Sequence, residues 1–141
     1  MIRNLVLGSE GFIGTSLCAF LEKKGESVTH FDIKRGDHED ARFAELDLSD
    51  IDRVYFLAWD VGGAKYLYKE DIQLGQLDWN LQLLQNVMRQ LKRDKKPFLF
   101  VSTQLAEEYD TVYGATKRLG EIWTRLLDGL FIRQWNVYGP P

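Results

Sequence analysis

The chain has 141 residues, 45% hydrophobic and 28% charged, with a formal net charge of −3. That suffices for one domain with one sizeable core and offers no electrostatic reason to bind nucleic acid. A single cysteine, Cys18, excludes an intramolecular disulfide framework and fits a reducing cytosol, and no apolar run approaches the length of a membrane span. The chain opens on an apolar strand and not on a basic segment leading to a cleavage site, so the expectation is a cytoplasmic protein with neither membrane nor nucleic-acid partners.

Ile2–Leu7 reads as a buried strand, and Gly8-Ser-Glu-Gly11-Phe-Ile-Gly14 follows it directly. Phe12, Ile13, Leu17, Phe20 and Leu21 then recur at helical spacing, so a helix runs from Phe12 to Lys24, with Cys18 as a small core residue in it. Placed between strand and helix, the first glycine permits a tight turn and the second lets backbone approach a pyrophosphate. The third lets helix and strand pack closely, and the helix N-terminus offers free N–H groups to phosphates. Ser27–Asp32 is the second strand, and Asp32 at its end is placed to bind a ribose 2′-OH. Lys34–Ala41 is a polar loop, and short strands are predicted near Arg42–Leu46 and at Arg53–Ala58.

Asp60–Glu70 is irregular, and a long helix spans about 71–92. On it Leu74, Leu77, Leu81, Leu84, Met88 and Leu91 form one apolar seam, while Trp79, Leu83 and Val87 form a second surface. One surface suits a sheet; the second calls for another helix, of this subunit or of a partner. The basic cluster Lys92–Lys96 sits at the helix end, where positive charge is favourable. Pro97–Ser102 is the fifth predicted strand, a helix covers about 112–127, and Leu130–Gln134 is the sixth strand. The alternation predicts an α/β doubly wound parallel sheet of about six strands in three layers, with a crevice at the strands' carboxyl ends. The glycine turn, Asp32, Ala58 and Ser102 all fall at such ends.

Tyr113 and Lys117 lie four residues apart, on one face of the last helix. A lysine beside a tyrosine favours the phenolate and makes it a usable base. Just upstream, Ser102 and Thr103 end a strand with hydroxyls suited to a substrate carbonyl or alcohol oxygen. Lys34 and Arg35 would suit a 2′-phosphate, but Asp32 precedes them and repels one, so NAD is expected ahead of NADP.

These motifs, in this order along the whole chain, resemble the extended short-chain dehydrogenase/reductases, the nucleotide-sugar epimerases and dehydratases. The resemblance implies a Rossmann domain over residues 1–141 that binds NAD through Gly8, Gly11, Phe12, Ile13, Gly14, Asp32 and the adjacent Ile33. Asp47-Leu48 looks like the family's adenine-facing pair, Leu57-Ala58 like the segment that passes along the cofactor, and Asn80 like its helix asparagine. Tyr113 and Lys117 match the catalytic YxxxK, with Ser102 or Thr103 as hydroxyl partner and the lysine also on the cofactor. Arg133–Pro140 resembles the RxxNVYGP stretch that leads into the substrate region, and Val61-Gly-Gly63 is similar to GDP-sugar members. What the resemblance implies is Tyr-Lys assisted hydride transfer at a carbon of a nucleotide sugar, in a homodimer formed by the helices at about 71–92 and 112–127.

This chain departs from the family pattern in four places. The segment from Thr103 to Tyr113 is short, Gln104 stands where dehydratases carry an acid, no cysteine follows the serine, and Trp59 replaces a small residue. The substrate-binding domain that members carry beyond the final motif is expected to lie outside residues 1–141. The alternative to an enzyme is a dinucleotide-binding module that acts through a partner without turnover.

Overall fold

The alternation along strand β1 (Arg3–Leu7) decides the layering of the domain. Leu5 and Leu7 join Val54 and Phe56 in the larger core, whereas Val6 joins Cys18 and Leu21 in a smaller one. A strand buried on both faces has to be apolar throughout, and this one is from Leu5 to Leu7. The computed structural model describes residues 1–61, 70–107 and 110–135. In it β1 is joined by β2 (Ser27–Phe31), β3 (Arg53–Phe56), β4 (Phe98–Thr103) and β5 (Leu130–Gln134). The five strands are parallel, in the order β2-β1-β3-β4-β5, with Leu7 level with Phe31 on one side and Phe56 on the other.

Helix α1 (Phe12–Lys23) covers one face through Cys18 and Leu21. The opposite face carries α2 (Glu70–Asp94) and α3 (Val112–Leu126). Leu83, Leu84, Val87, Met88 and Leu91 of α2 are fully buried against Phe56, Phe98 and Phe100. The Thr111 side chain accepts a hydrogen bond from the Gly114 N–H at 3.0 Å and so starts α3. That helix lies so close to β4 that a Cβ on Gly120 would strike the Phe100 ring. The doubly wound three-layer architecture is therefore as expected.

The strand expected near Arg42–Leu46 does not form. Both edges of β1 are taken by β2 and β3, and the segment is instead held by side chains of α2. Asn86 Nδ2 donates to the Ala41 and Ala44 carbonyls at 2.9 Å each, Gln90 Nε2 donates to Ala44 O at 3.0 Å, and the Leu46 N–H donates to Gln90 Oε1 at 2.6 Å. With its backbone polar groups satisfied by amides, the segment needs no ladder. It also accounts for the second apolar surface of α2: Ala41, Leu46, Leu48 and Ile51 share a core with Leu83 and Val87. The first seam is divided, its C-terminal half buried in this core and Leu74 left exposed. No helix among the described residues is long and apolar enough to cross a membrane. The Gly62-Gly63 motif and the Asn136–Pro140 stretch lie outside the described residues.

Candidate functional site

At the carboxyl ends of the strands is a cavity of about 610 Å³. Its extent follows from the strand order. The β2 end contributes Asp32, Ile33 and Lys34, β1 contributes the glycine turn, and β3 leads into Leu57, Ala58 and Trp59. The β4 and β5 ends contribute Ser102, Thr103 and Gln134, with Tyr113 and Lys117 from α3. One cavity thus joins the glycine turn to the Tyr-Lys pair.

The turn is built as its glycines require. Gly8 has φ +92°, and a Cβ there would lie 2.7 Å from the Ala58 nitrogen. A Cβ on Gly14 would run into the Gly8 carbonyl oxygen. Gly11 differs, because a Cβ there would meet nothing nearer than 3.5 Å. Nothing among the described residues demands glycine at position 11, where the missing side chain leaves the backbone open to the cavity. Gly11 caps α1 without a side chain, no acid occupies the first turn, and the N–H groups of Phe12, Ile13 and Gly14 have no acceptor among the described residues. Three unpaired donors at the positive end of a helix dipole form an anion site, so the turn fits a dinucleotide's phosphates.

Asp32 is tied into this turn. Its Oδ2 accepts from the Glu10 N–H and its Oδ1 from the Lys34 N–H, each at 2.9 Å. Its carboxylate is thereby fixed on the cavity wall, with lone pairs left for ribose hydroxyls. Beside it stand Glu39 and Asp40, expected only as part of a polar loop, and Arg42, expected at the start of a strand. Trp79 and Leu83 of α2 also line the cavity, having been read only as an apolar helix face, as does Trp135. Asp47 and Leu48 are not brought to it. Asp47 accepts from the Ser49 hydroxyl and N–H, and Leu48 is buried in the core. Asn80 is bonded to the backbone of Asp60 in both directions, at 3.0 and 3.1 Å, and so fixes the chain after β3.

At the other end the two hydroxyls have different duties. Ser102 Oγ donates to Glu121 Oε2 at 2.6 Å, inside a buried cluster where Arg133 donates to both Glu121 oxygens at 2.7 and 2.8 Å. Thr103 is the hydroxyl that meets Tyr113. Burial pushes the Tyr113 phenol above its ordinary range, with the Thr103 hydrogen bond acting the other way. Lys117 does not supply the expected depression of that pKa. Its Nζ donates to the Val101 carbonyl at 2.6 Å, lying 4.2 Å from the ring centre of Trp59 and 5.0 Å from that of Phe100. Desolvation takes Lys117 from 10.5 to about 7, while Glu121 pulls it upward. In this arrangement the lysine is held in an aromatic box with Trp59 as one wall. Among the described residues no group of three His, Cys, Asp or Glu could hold a metal ion.

Comparison with known proteins agrees with this geometry. The chain superposes on an NAD-dependent NDP-hexosamine 5,6-dehydratase involved in tunicamycin biosynthesis with a TM-score of 0.79 and 25% identity, covering 99% of this chain and 56% of that one. It superposes on a short-chain dehydrogenase/reductase superfamily protein from Agrobacterium tumefaciens with bound NAD (TM-score 0.72, 16% identity, 93% of this chain, 48% of that one). A third match is UDP-N-acetylglucosamine 4-epimerase from Bacillus cereus (TM-score 0.67, 19% identity, 93% and 52%). The last two share the fold alone at such identity, and the chain spans about half the length of each structure. Among curated proteins no sequence matched. The family described as NAD dependent epimerase/dehydratase matches residues 4–141, nearly the whole chain. With its Rossmann-type sheet, phosphate-ready glycine turn and strand-end cavity, the chain belongs to the NAD-dependent epimerase/dehydratase family.

Proposed function

We propose that this chain is the NAD-binding portion of a nucleotide-sugar epimerase, dehydratase or reductase, in which Tyr113 is the acid-base group. The observation that carries the reading is the single cavity with an open helix N-terminus at one end and Tyr113 beside Thr103 at the other. Gly8, Gly11 and Gly14 with the N–H groups of Phe12, Ile13 and Gly14 would hold the phosphates, Asp32 a ribose, and Leu57-Ala58 the cofactor's length. Bound there, a nicotinamide dinucleotide supplies hydride acceptance and return at a sugar carbon. Thr103 orients the sugar hydroxyl, and Tyr113 removes its proton as the carbon is oxidised and returns it on reduction. Lys117, which lines the cavity beside Tyr113, would hold the nicotinamide ribose and favour the phenolate if its bond to the Val101 carbonyl were exchanged for one to the cofactor. NAD is the preferred dinucleotide, because the Asp32 carboxylate lines the adenosine end. Leu74 on α2 and Leu119 on α3, 62% and 45% exposed, support a homodimer through these two helices.

The test is calorimetric titration with NAD, followed by NADH absorbance on mixing the NAD-loaded protein with nucleotide sugars. Wild type should bind NAD and reduce it with one class of sugar, and Tyr113→Phe should bind equally but lose at least about a hundredfold in rate. Sugar-dependent reduction that survives Tyr113→Phe unchanged would show that another group is the base. A second reading, dinucleotide binding without turnover, is favoured by Lys117 being committed to Val101 and by the raised Tyr113 pKa. It predicts NAD binding with no sugar-dependent reduction.

A further inference from the structure

Arg42 lines the adenosine end of the site and Arg35 is joined to it through Glu39, and each arginine is already gripped by a carboxylate of this chain. Arg35 Nε donates to the two oxygens of Glu39 at 3.1 and 3.2 Å, with Glu10 3.7 Å from its Nη1. Arg42 donates through Nε and Nη2 to the two oxygens of Asp40 at 3.1 and 2.8 Å, and its guanidinium lies 3.3 Å from the ring centre of Trp79. The carboxylates are well shielded, with side-chain exposures of 10% for Glu39 and 15% for Asp40. Glu39 also accepts from the Asp32 N–H at 3.4 Å, which puts it beside the acid that faces the ribose. Glu39, Asp40 and Arg42 all line the cavity with Asp32.

In sequence, Lys34, Arg35 and Arg42 so soon after Asp32 look like a ready receptor for a ribose 2′-phosphate. The pairing gives the opposite result. We propose that Glu39 and Asp40 are specificity-determining residues that occupy Arg35 and Arg42 and so make the site reject a 2′-phosphorylated dinucleotide in favour of NAD. This rests on the reading of the cavity as a nicotinamide dinucleotide site. The physical reason is that a phosphate carrying nearly two negative charges needs cations that are not already neutralised. Arg42 forks through two nitrogens onto Asp40 and Arg35 shares its Nε–H between both oxygens of Glu39, so either arginine can turn to a phosphate only at the expense of leaving a shielded carboxylate without its cation. Lys34 alone among these cations has no carboxylate partner among the described residues. Its own backbone N–H, however, is bonded to Asp32, which sets a carboxylate in the phosphate's way.

The test is the ratio of dissociation constants for NADP and NAD, measured by calorimetry on the whole chain. Wild type should favour NAD, and Glu39→Gln and Asp40→Asn should each narrow the ratio by about tenfold, because each removes a unit charge a few ångströms from the phosphate. Glutamine at 39 keeps an acceptor for the Asp32 N–H, and if Asp40→Asn fails to fold, the Glu39 arm decides. Glu39→Gln combined with Arg35→Gln should lose the gain, since no arginine is then released. An unchanged ratio in a folded Glu39→Gln variant that still binds NAD overturns the specificity assignment alone. A gain that survives Arg35→Gln overturns it too. If wild type binds neither dinucleotide, the reading of the cavity falls and this assignment with it.

Discussion

Lys117 offers the sharpest physical test of the site. It is 4% exposed, and its charged groups of contact are few: Glu121 one turn on, itself paired with Arg118 and Arg133. Burial brings its pKa from 10.5 to about 7 despite Glu121. The folded chain therefore holds this proton less tightly than the unfolded chain. Below pH 7 the amine is charged in both states, and the fall in pKa corresponds to about 5 kcal/mol of opposition to folding. Between pH 7 and 10.5 the unfolded chain binds more protons, so stability rises with pH; the opposition shrinks to about 2 kcal/mol at pH 9 and is gone above 10.5.

Lys117→Met keeps the apolar stem and removes the charge. It also leaves the Val101 carbonyl without its donor, at a pH-independent cost of about 1–3 kcal/mol. The variant should therefore be more stable than wild type at pH 6 by about 2–4 kcal/mol, with the advantage about 3 kcal/mol smaller at pH 9. Urea unfolding followed by fluorescence of the four tryptophans reads both stabilities, and titrations elsewhere cancel in the difference. Stabilities that run parallel from pH 6 to 9 would show that Lys117 keeps an ordinary pKa and that the aromatic box does not exclude water.

The other expectations divide folding from binding. Gly11→Ala should fold with a stability within about 1 kcal/mol of wild type, because its Cβ meets nothing nearer than 3.5 Å, yet lose NAD affinity by at least about tenfold in calorimetry. Gly14→Ala should instead lower the melting temperature sharply, because its Cβ collides with the Gly8 carbonyl; equal melting temperatures for the two variants would refute the assignment. Gln76 is 1% exposed and neither atom of its amide has a partner among the described residues, so Gln76→Met should raise stability by about 1–3 kcal/mol in urea unfolding. Light scattering at tens of micromolar should give a dimer mass that Leu74→Glu with Leu119→Glu reduces to a monomer, and a monomeric wild type would dismiss the helix pair as an interface.

The features legible in the sequence were those set by local chemistry. A glycine at each of positions 8, 11 and 14 between an apolar run and a helical pattern admits few backbones, and the turn formed as expected. The Tyr113–Lys117 spacing put both side chains on the cavity because a helix brings residues four apart to one face. What escaped depended on partners far along the chain. The Val101 carbonyl that holds Lys117 is 16 residues away, and no spacing rule names it. Ser102 and Thr103 are adjacent, but a strand turns neighbours to opposite faces, so one hydroxyl went to Glu121 and the other to Tyr113. The amides of Asn86 and Gln90, more than 40 residues beyond the segment they hold, decided against the third predicted strand.

That substitution of a held loop for a strand links several features of the molecule. No strand forms at 42–46. The loop instead delivers Asp40, Ala41 and Arg42 to the cavity wall while Leu46, Leu48 and Ile51 fill the core behind them. Arg42 lies on Trp79 of α2, so the same helix that anchors the loop by Asn86 and Gln90 also fixes the guanidinium on the cavity wall. Covering Leu83 and Val87 with this loop buries that helix surface and leaves Leu74, near the N-terminus of α2, as its exposed large hydrophobic residue. The proposed cofactor selectivity and the proposed dimer contact would thus both depend on where two amide side chains on one helix find their hydrogen-bond partners. Asn86→Leu with Gln90→Leu should accordingly loosen Arg42 and weaken NAD binding, although neither residue lines the cavity.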